Sequence, residues 1–524
     1  MQPTSILPSG HGPSVPDRPL PARPPERRRH RATPRRNRLW PARRSRPDAH
    51  TYRQTVPYPL GAAGPARIGE HAGGSDAACA VEPALGHHAE GNRRFVVAGF
   101  WSLLIASVAL WWFNTPAGSL TGEAAVFTAA GRITGMVSGF LLLAQVLVVS
   151  RVGWLEEWAG TDHLMAWHRQ LGPLVLVAVL AHTVFVVYGY ALSARTSVAA
   201  QTWSLLNASA DMAGAFAATG ILVAVSFLAV RAVRRRMRHE TWYLLHLTAY
   251  GSLLLGYGHQ FAFGADLQSP VAGCYWNTLY ALVVASLVWG RIVEPLALNL
   301  RHRLRVAAVV PEAHDMFSVY LRGRKLHKLK ARPGQFFRWR FLTGEDWWQS
   351  HPFSLSSAPN PQWLRLTVNP VGDHTTRLRS LRVGTRVVAA GPFGAFTADR
   401  RLRNRVLLIA GGSGIAPVRA VLERMPPSTV LVYRAGSVED IVFRDELDHL
   451  AGERDCTVHY VVGSRHDPGP ARLLSPEGLV ELVPDVTLRD VYLCGPAGLT
   501  AAALGALAEL RVPRGRIHLD PFEF

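Results

Sequence analysis

Cysteine is scarce. The 524 residues hold four, Cys79, Cys274, Cys456 and Cys494, and no two stand in a CxxC pair. That spacing argues against a structural zinc site, an iron–sulfur cluster and a disulfide framework. Lysine is scarcer still, three against 54 arginines, which reads as a GC-rich coding sequence rather than a selected lysine surface. Acidic side chains are outnumbered 37 to 57, leaving a formal charge of +20. Such charge can signal nucleic acid. No recognisable nucleic-acid fold motif accompanies it, so no nucleic-acid partner is expected.

What is abundant is apolar length, and it is segregated from the charge. Residues 1–92 are rich in Pro, Arg, Gly and Ala, without a sustained apolar period. They are expected to be disordered, and they lack the apolar core and cleavage site of a signal peptide. Six candidate membrane spans follow, at 94–113, 125–149, 171–190, 213–230, 241–259 and 275–293. Each is near the length that crosses a bilayer. The first, third and fifth connections carry zero, one and zero Arg or Lys; the second and fourth carry two and five, and residues 291–305 add four. Positive loops stay in the cytoplasm, so a multi-pass cell-membrane protein with both termini inside is expected.

Histidines interrupt two of these spans. His168 and His182 lie 14 positions apart in "WHRQLGPLVLVAVLAHTVFVVYGY". That is about 21 Å along a helix and about 40° short of four turns, so the two share nearly one face. His246 and His259 form a second pair in the fifth span. Running both helices from inside to outside sets His168 level with His246, and His182 with His259. Two cross-helix pairs at two depths suit two stacked b-type haems, each iron taking one imidazole from either side. The plainer reading is of polar residues bonded within the bundle, although ionisable residues inside a membrane are usually functional. Thirteen positions leave His246 and His259 about 140° out of phase. The fifth helix must therefore be distorted, and Gly256 and Gly258 are the expected place. His163 and His239 are expected to be solvated in cytoplasmic loops. Arg132 has two readings, a partner for a haem propionate or a snorkelling interfacial cation.

Past residue 300 the pattern changes to short strands and turns, and from "NRVLLIAGGSGIAPVRAVLERM" onward strands alternate with helices, as in a parallel α/β sheet. "LIAGGSGIAPVRA" has the form of a pyrophosphate cradle, a strand ending in glycines before a helix. Its spacing is not GxGxxG, so it is not the dinucleotide fingerprint.

"HPFSLSSAP" (351–359), preceded by "RPGQFF" (332–337), resembles the flavin-binding segment of the ferredoxin–NADP reductase superfamily. Beginning with His, and following paired membrane histidines, it resembles the ferric reductase and NADPH oxidase branch. The resemblance covers about residues 94–524. It implies a six-helix transmembrane haem domain (93–298), an antiparallel β-barrel FAD domain (299–400) and an α/β parallel-sheet NAD(P)-binding domain (401–524).

By position it implies that His351, Pro352, Phe353 and Ser354 line FAD, with Ser354 near the reactive edge of the ring. In "VNPVGDHTTRL", Gly372 and Thr375 would approach the pyrophosphate, with Asn369 where the family often has Lys. Gly411, Gly412, Gly414 and Pro417 would form the nicotinamide-nucleotide loop. "VYLCGPAGL" resembles the family's Cys-Gly-Pro motif (Cys494, Gly495, Pro496) and would set Cys494 beside the nicotinamide; a buried structural Cys is the alternative. Arg434 is either the receiver of a 2′-phosphate, favouring NADPH over NADH, or a solvated surface residue. Phe524 stands where the family carries an aromatic stacked on the flavin.

The expected function is electron transfer from cytoplasmic NAD(P)H through FAD and two haems to an extracytoplasmic acceptor, a ferric chelate or dioxygen. Two alternatives stand beside it. One is a membrane subunit supplying electrons to an envelope partner protein. The other is a haem-free, membrane-anchored flavin reductase.

Overall fold

The structure, a computed structural model, describes residues 84–521 apart from 117, 314, 345–346 and 465–466. The expected disorder of the N-terminal tail therefore lies mostly outside the described residues. Its last stretch is corrected, because helix α1 (Ala84–Asn114) already begins ahead of the apolar run. Helices α2 (Glu123–Leu147), α3 (Thr161–Ala194) and α4 (Ala210–Ala229) follow.

The fifth candidate span is not one helix. It divides into α5 (His239–Leu247) and α6 (Ala249–Phe263), and α7 (Pro270–Val288) completes the set. Among the described residues, five helices are individually long and apolar enough to cross a membrane, and the divided pair is not among them. The break has a local cause. Thr248 N donates to Leu245 O at 3.1 Å and Gly251 N to Thr248 O at 2.8 Å, both i→i+3 bonds. Such winding turns more per residue than an α-helix, which is the direction needed to recover the phase between His246 and His259. The distortion is thus at Thr248. Gly256 and Gly258 lie inside regular α6, and Gly258 serves packing instead: a Cβ there would stand 2.7 Å from Asp211 Oδ1 on α4.

Helices α2 and α3 approach through small residues. A Cβ on Gly131 would lie 2.5 Å from Val186 Cγ2, and one on Gly135 2.7 Å from His182 Nδ1. Packing without Cβ atoms at this seam is how membrane helices come close when no hydrophobic drive separates them from lipid.

Helix α7 runs through a π-helical turn (Trp289–Val293) into α8 (Glu294–His302). Within the turn, Arg291 bonds Val149 O at 2.6 Å, and a Cβ on Gly290 would strike the Ser150 carbonyl at 2.4 Å. Asn299 on α8 then bonds both backbone groups of Ala389, at 2.8 and 2.9 Å. The start of α3 and the short helix before it (Gly153–Ala159) pack on the same layer: Gly394 N donates to Thr161 Oγ1 at 3.1 Å, and Arg332 meets Glu157 at 3.2 Å.

Strands β1 (Arg305–Pro311), β2 (Phe317–Arg322) and β5 (Leu364–Val368) form one antiparallel sheet in the order β1-β2-β5. Strands β3 (Phe336–Phe341), β4 (His351–Ser354) and β6 (Val387–Phe393) form another, ordered β4-β3-β6. Isolated bridges, Arg305 to Arg386 and Leu355 to Leu366, join their edges. Phe337, Trp339, Leu355, Leu364 and Leu366 fill the space between them.

Strands β7 (Val406–Gly411), β8 (Val430–Ala435), β9 (Thr457–Val462), β10 (Asp490–Gly495) and β11 (Ile517–Pro521) form a parallel sheet in the order β11-β10-β7-β8-β9. Every residue of β7 and β10 is buried, as expected for strands covered on both faces. Helices α9 (Ile415–Leu422), α10 (Arg444–Arg454) and α11 (Ala497–Glu509) belong to this layer.

Candidate functional site

The four membrane histidines meet in the expected pairs. The His168 and His246 ring centres are 6.0 Å apart, and those of His182 and His259 are 6.2 Å apart. Metal–imidazole nitrogen bonds of about 2 Å, with ring centres about 1 Å behind the nitrogens, place two imidazoles on one metal roughly 6 Å apart. The observed spacings suit a shared iron. The hydrogen bonds suit it too. His182 Nδ1 lies 2.8 Å from Gly131 O, and His168 Nδ1 lies 3.3 Å from Gln145 O. Such bonds fix the tautomer and turn Nε2 toward a metal; His168 Nε2 also has a long contact with Gln145 Nε2 at 3.5 Å. Gln145 also donates through Nε2 to His168 O at 3.0 Å. Nδ1 of His246 and of His259 is buried with no hydrogen-bond partner among the described residues.

Arg132 has a protein partner. It grips Asp266 in a two-point ion pair, with Nε to Oδ2 at 2.8 Å, and Asp266 is only 4% exposed. Exposed His163 receives a contact from Arg93 at 2.9 Å. The side chain of His239 lies outside the described residues.

In the soluble part the two flavin segments come together. Strand β4 pairs with β3 so that Phe353 faces Phe337 and His351 faces Trp339. Trp339 Nε1 donates to Phe353 O at 2.9 Å, and the His351 and Phe353 rings stack at 5.8 Å. Pro352 is exposed and Ser354 buried. His374 links the segments, its ring 6.3 Å from His351 and its Nε2 2.7 Å from Gln349. Thr375 Oγ1 accepts from Gly372 N at 3.1 Å and so holds its own turn.

The glycine loop and the Cys-Gly-Pro motif are neighbours because β7 pairs with β10 and Ala410 faces Cys494. The chain after β7 leads to β8 on one side while β10 lies on the other. Ligands of open α/β sheets bind at such a switch point. Gly414 is demanded here: a Cβ would stand 2.2 Å from Cys494 O. Gly411 ends β7, Gly412 takes φ +53°, and Pro417 lies in the first turn of α9. Gly495 ends β10, and Pro496 precedes α11. Cys494 is fully buried, with Sγ 3.3 Å from Asp520 O. Burial, and then the Asp520 charge, raises its pKa well above the usual thiol value. Phe524 lies outside the described residues.

A cleft of about 180 Å³ opens between the two soluble layers, lined by Asp315, Met316, Asn369, Gly412, Arg434 and Asp440. Ordinary ligand pockets run to about 300–1,000 Å³, so this cleft matches only part of a dinucleotide. Arg434 is half-buried, and its guanidinium donates to the carbonyls of Ala435, Val461 and Gly463, the second at 3.2 Å. It is not the freely solvated residue of the plainer reading.

Sequence reasoning missed the ion network behind this cleft. Arg365 on β5 is 2% exposed and holds Glu446 on α10 through two bonds of 2.7 and 2.9 Å. Arg419 on α9 reaches the same carboxylate at 2.8 Å. Burial pushes the Glu446 pKa up, but hydrogen bonds and charge from Arg365 and Arg419 outweigh it and hold the group below the usual carboxylate range.

Known proteins fit this geometry. Residues 134–257 match the ferric reductase like transmembrane component, 301–397 an FAD-binding domain and 408–504 an oxidoreductase NAD-binding domain. The class is therefore a flavin- and nicotinamide-dependent oxidoreductase. With the membrane component in front, the chain has the ferric reductase/NADPH oxidase-like architecture with a ferredoxin–NADP reductase-type dehydrogenase.

Among curated relatives, the flavohemoprotein of Oceanobacillus iheyensis is 26% identical over 42% of this chain and 58% of its own. The glycine betaine monooxygenase reductase subunit of Pseudomonas aeruginosa is 27% identical over 43% of this chain and 65% of its own. The chain thus spans about three fifths of the length of these relatives. Among solved structures, the flavohem-like FAD/NAD-binding domain of nitric oxide dioxygenase from Vibrio cholerae is 23% identical, with a TM-score of 0.35, over 42% of this chain and 99% of that one.

Proposed function

We propose that this chain is a six-span membrane oxidoreductase that moves electrons from cytoplasmic NAD(P)H to an acceptor on the far side. The observation that carries the reading is the pairing of four histidines at two depths, with ring centres 6.0 and 6.2 Å apart. When bound, FAD would supply the conversion of a hydride into single electrons, and two b-type haems would supply their relay.

The chain's own residues hold and orient. His168 and His246 would ligate an inner haem, and His182 and His259 an outer one. His351, Pro352, Phe353 and Ser354, with Gly372 and Thr375, would hold FAD in the small β-barrel. The loop of Gly411, Gly412 and Gly414 would bring a pyrophosphate to the positive end of α9. Pro417 starts that helix, and Cys494, Gly495 and Pro496 form the other wall of the switch point. Arg434 would trade its carbonyl partners for a 2′-phosphate, favouring NADPH. Phe524 would cover the flavin until the nicotinamide displaces it. No general acid or base is needed, and none is assigned.

Both termini would lie in the cytoplasm, because the arginine-rich connections and the soluble layers share one side. The acceptor is a ferric chelate or dioxygen. A second reading, a membrane subunit feeding an envelope partner, is favoured by relatives named as reductase subunits of monooxygenases. Steady-state turnover of the purified protein separates them. Reduction of ferric chelate or oxygen by the protein alone supports the first, and idle reduced protein supports the second.

A further inference from the structure

The two histidines of each pair are held by different forces. His168 and His182, both on α3, turn Nδ1 to a backbone carbonyl of α2, that of Gln145 and that of Gly131. His246 and His259, on the divided fifth span, have buried Nδ1 atoms with no hydrogen-bond partner among the described residues. An aromatic ring stands beside each of them instead. Trp242, one turn before His246, stacks on it with ring centres 5.0 Å apart and planes 20° apart. Phe263, one turn after His259, stacks on it at 5.8 Å and 25°. Arg234 in the basic fourth connection lies over the far face of this arrangement, 4.7 Å from the Trp242 ring centre.

The physical consequences differ. A carbonyl accepting from Nδ1–H fixes the tautomer, restrains ring rotation and makes Nε2 a better donor to a metal. A stacked ring restrains tilt but leaves rotation about the stacking axis open, and it does nothing for basicity. Aromatic pairs of this kind contribute about 0.5–1.5 kcal/mol.

We propose that each haem has one firm ligand and one releasable ligand. His168 and His182 are the firm ones. His246 and His259 are the releasable ones, and Trp242 and Phe263 are their positioning residues. The inference rests on the haem reading above and deepens it. Phe263 is 45% exposed at the outer end of α6, so the releasable ligand of the outer pair lies beside the surface an acceptor approaches.

Carbon monoxide tests this directly, because it binds a reduced haem only where a ligand has left. The full-length protein in detergent is reduced with dithionite and titrated with the gas, following the Soret band. Wild type is expected to shift little. Trp242→Ala and Phe263→Ala should each raise the CO-bound fraction about two- to tenfold, as loss of a stack of this size implies. Trp242→Phe keeps a ring in place and should return the fraction toward wild type, which a general loosening of the fold would not do. Loss of one haem in Trp242→Ala and its recovery in Trp242→Phe would carry the same meaning. Haem-replete alanine variants that take up no more CO than wild type would overturn the inference and leave the haem reading standing. A wild-type protein with full FAD and no haem would overturn the haem reading itself.

Discussion

Under the proposed function, nucleotide preference turns on Arg434. Its charge sits at the cleft but is occupied by three carbonyls at the ends of β8 and β9. Arg434→Ala is expected to weaken NADPH use about tenfold and leave NADH nearly unchanged, since a charge-assisted bond to phosphate is worth more than about 1.4 kcal/mol. Stopped-flow flavin reduction with each nucleotide measures it. Equal losses for both would assign Arg434 to holding the strand ends together. Of the residues lining this cleft, Gly412 and Arg434 could be singled out from the sequence, because each belongs to a stretch that follows an apolar strand. The occupied state of Arg434 was not legible, because its acceptors are backbone atoms, one of them 29 positions away.

At the scale of elements, two contacts decide most of the arrangement. The first is the α2–α3 seam. Gly131 and Gly135 face α3 and Gly139, four residues on, faces Gln260 and Trp276; the four-residue spacing could have been read from the sequence as a helix-packing stripe. Gly135→Val would place side-chain atoms against the His182 ring. Overpacking of this kind costs about 1–3 kcal/mol, and the His182–Gly131 bond is the contact most exposed to it. Haem content by pyridine haemochrome should fall toward one per chain. Two haems and an unchanged spectrum would mean that the helices do not meet there.

The second contact joins β5 to α10 and α9 through Arg365, Glu446 and Arg419. Glu446 has its pKa held below its unfolded value, so its contribution is present at neutral pH. That contribution is lost as pH falls below about 4 and through the folded value. The temperature of FAD release, followed by flavin fluorescence, should therefore drop on acidification in wild type. Glu446→Gln should be less stable by about 3 kcal/mol at pH 7, because buried Arg365 loses its counter-charge. It should also lose that acid-dependent component. Parallel pH curves for the two proteins would show that the pair does not hold the layers together. Nothing local predicts this network, since Arg365 and Glu446 are 81 positions apart. The break at Thr248 was illegible for a different reason. The phase error between His246 and His259 demanded a distortion, but glycines drew attention to a site where the helix stays regular.

For the whole molecule, the apolar lengths and the pairing of His168 with His246 and of His182 with His259 were legible, because a bilayer imposes length and helix geometry sets which residues share a face. The parallel sheet followed from α/β alternation, whereas its strand order and switch point were visible only in the structure. The central claim is that donor, flavin and two haems form one connected path. The most direct test is an optical spectrum of the purified full-length protein under anaerobic conditions, before and after NADPH. The account predicts an oxidised spectrum with flavin and six-coordinate b-type haem bands at two haems per FAD. Nucleotide should then bleach the flavin and bring up the reduced haem α-band. Flavin that bleaches in an FAD-replete protein with no haem band at all would contradict it.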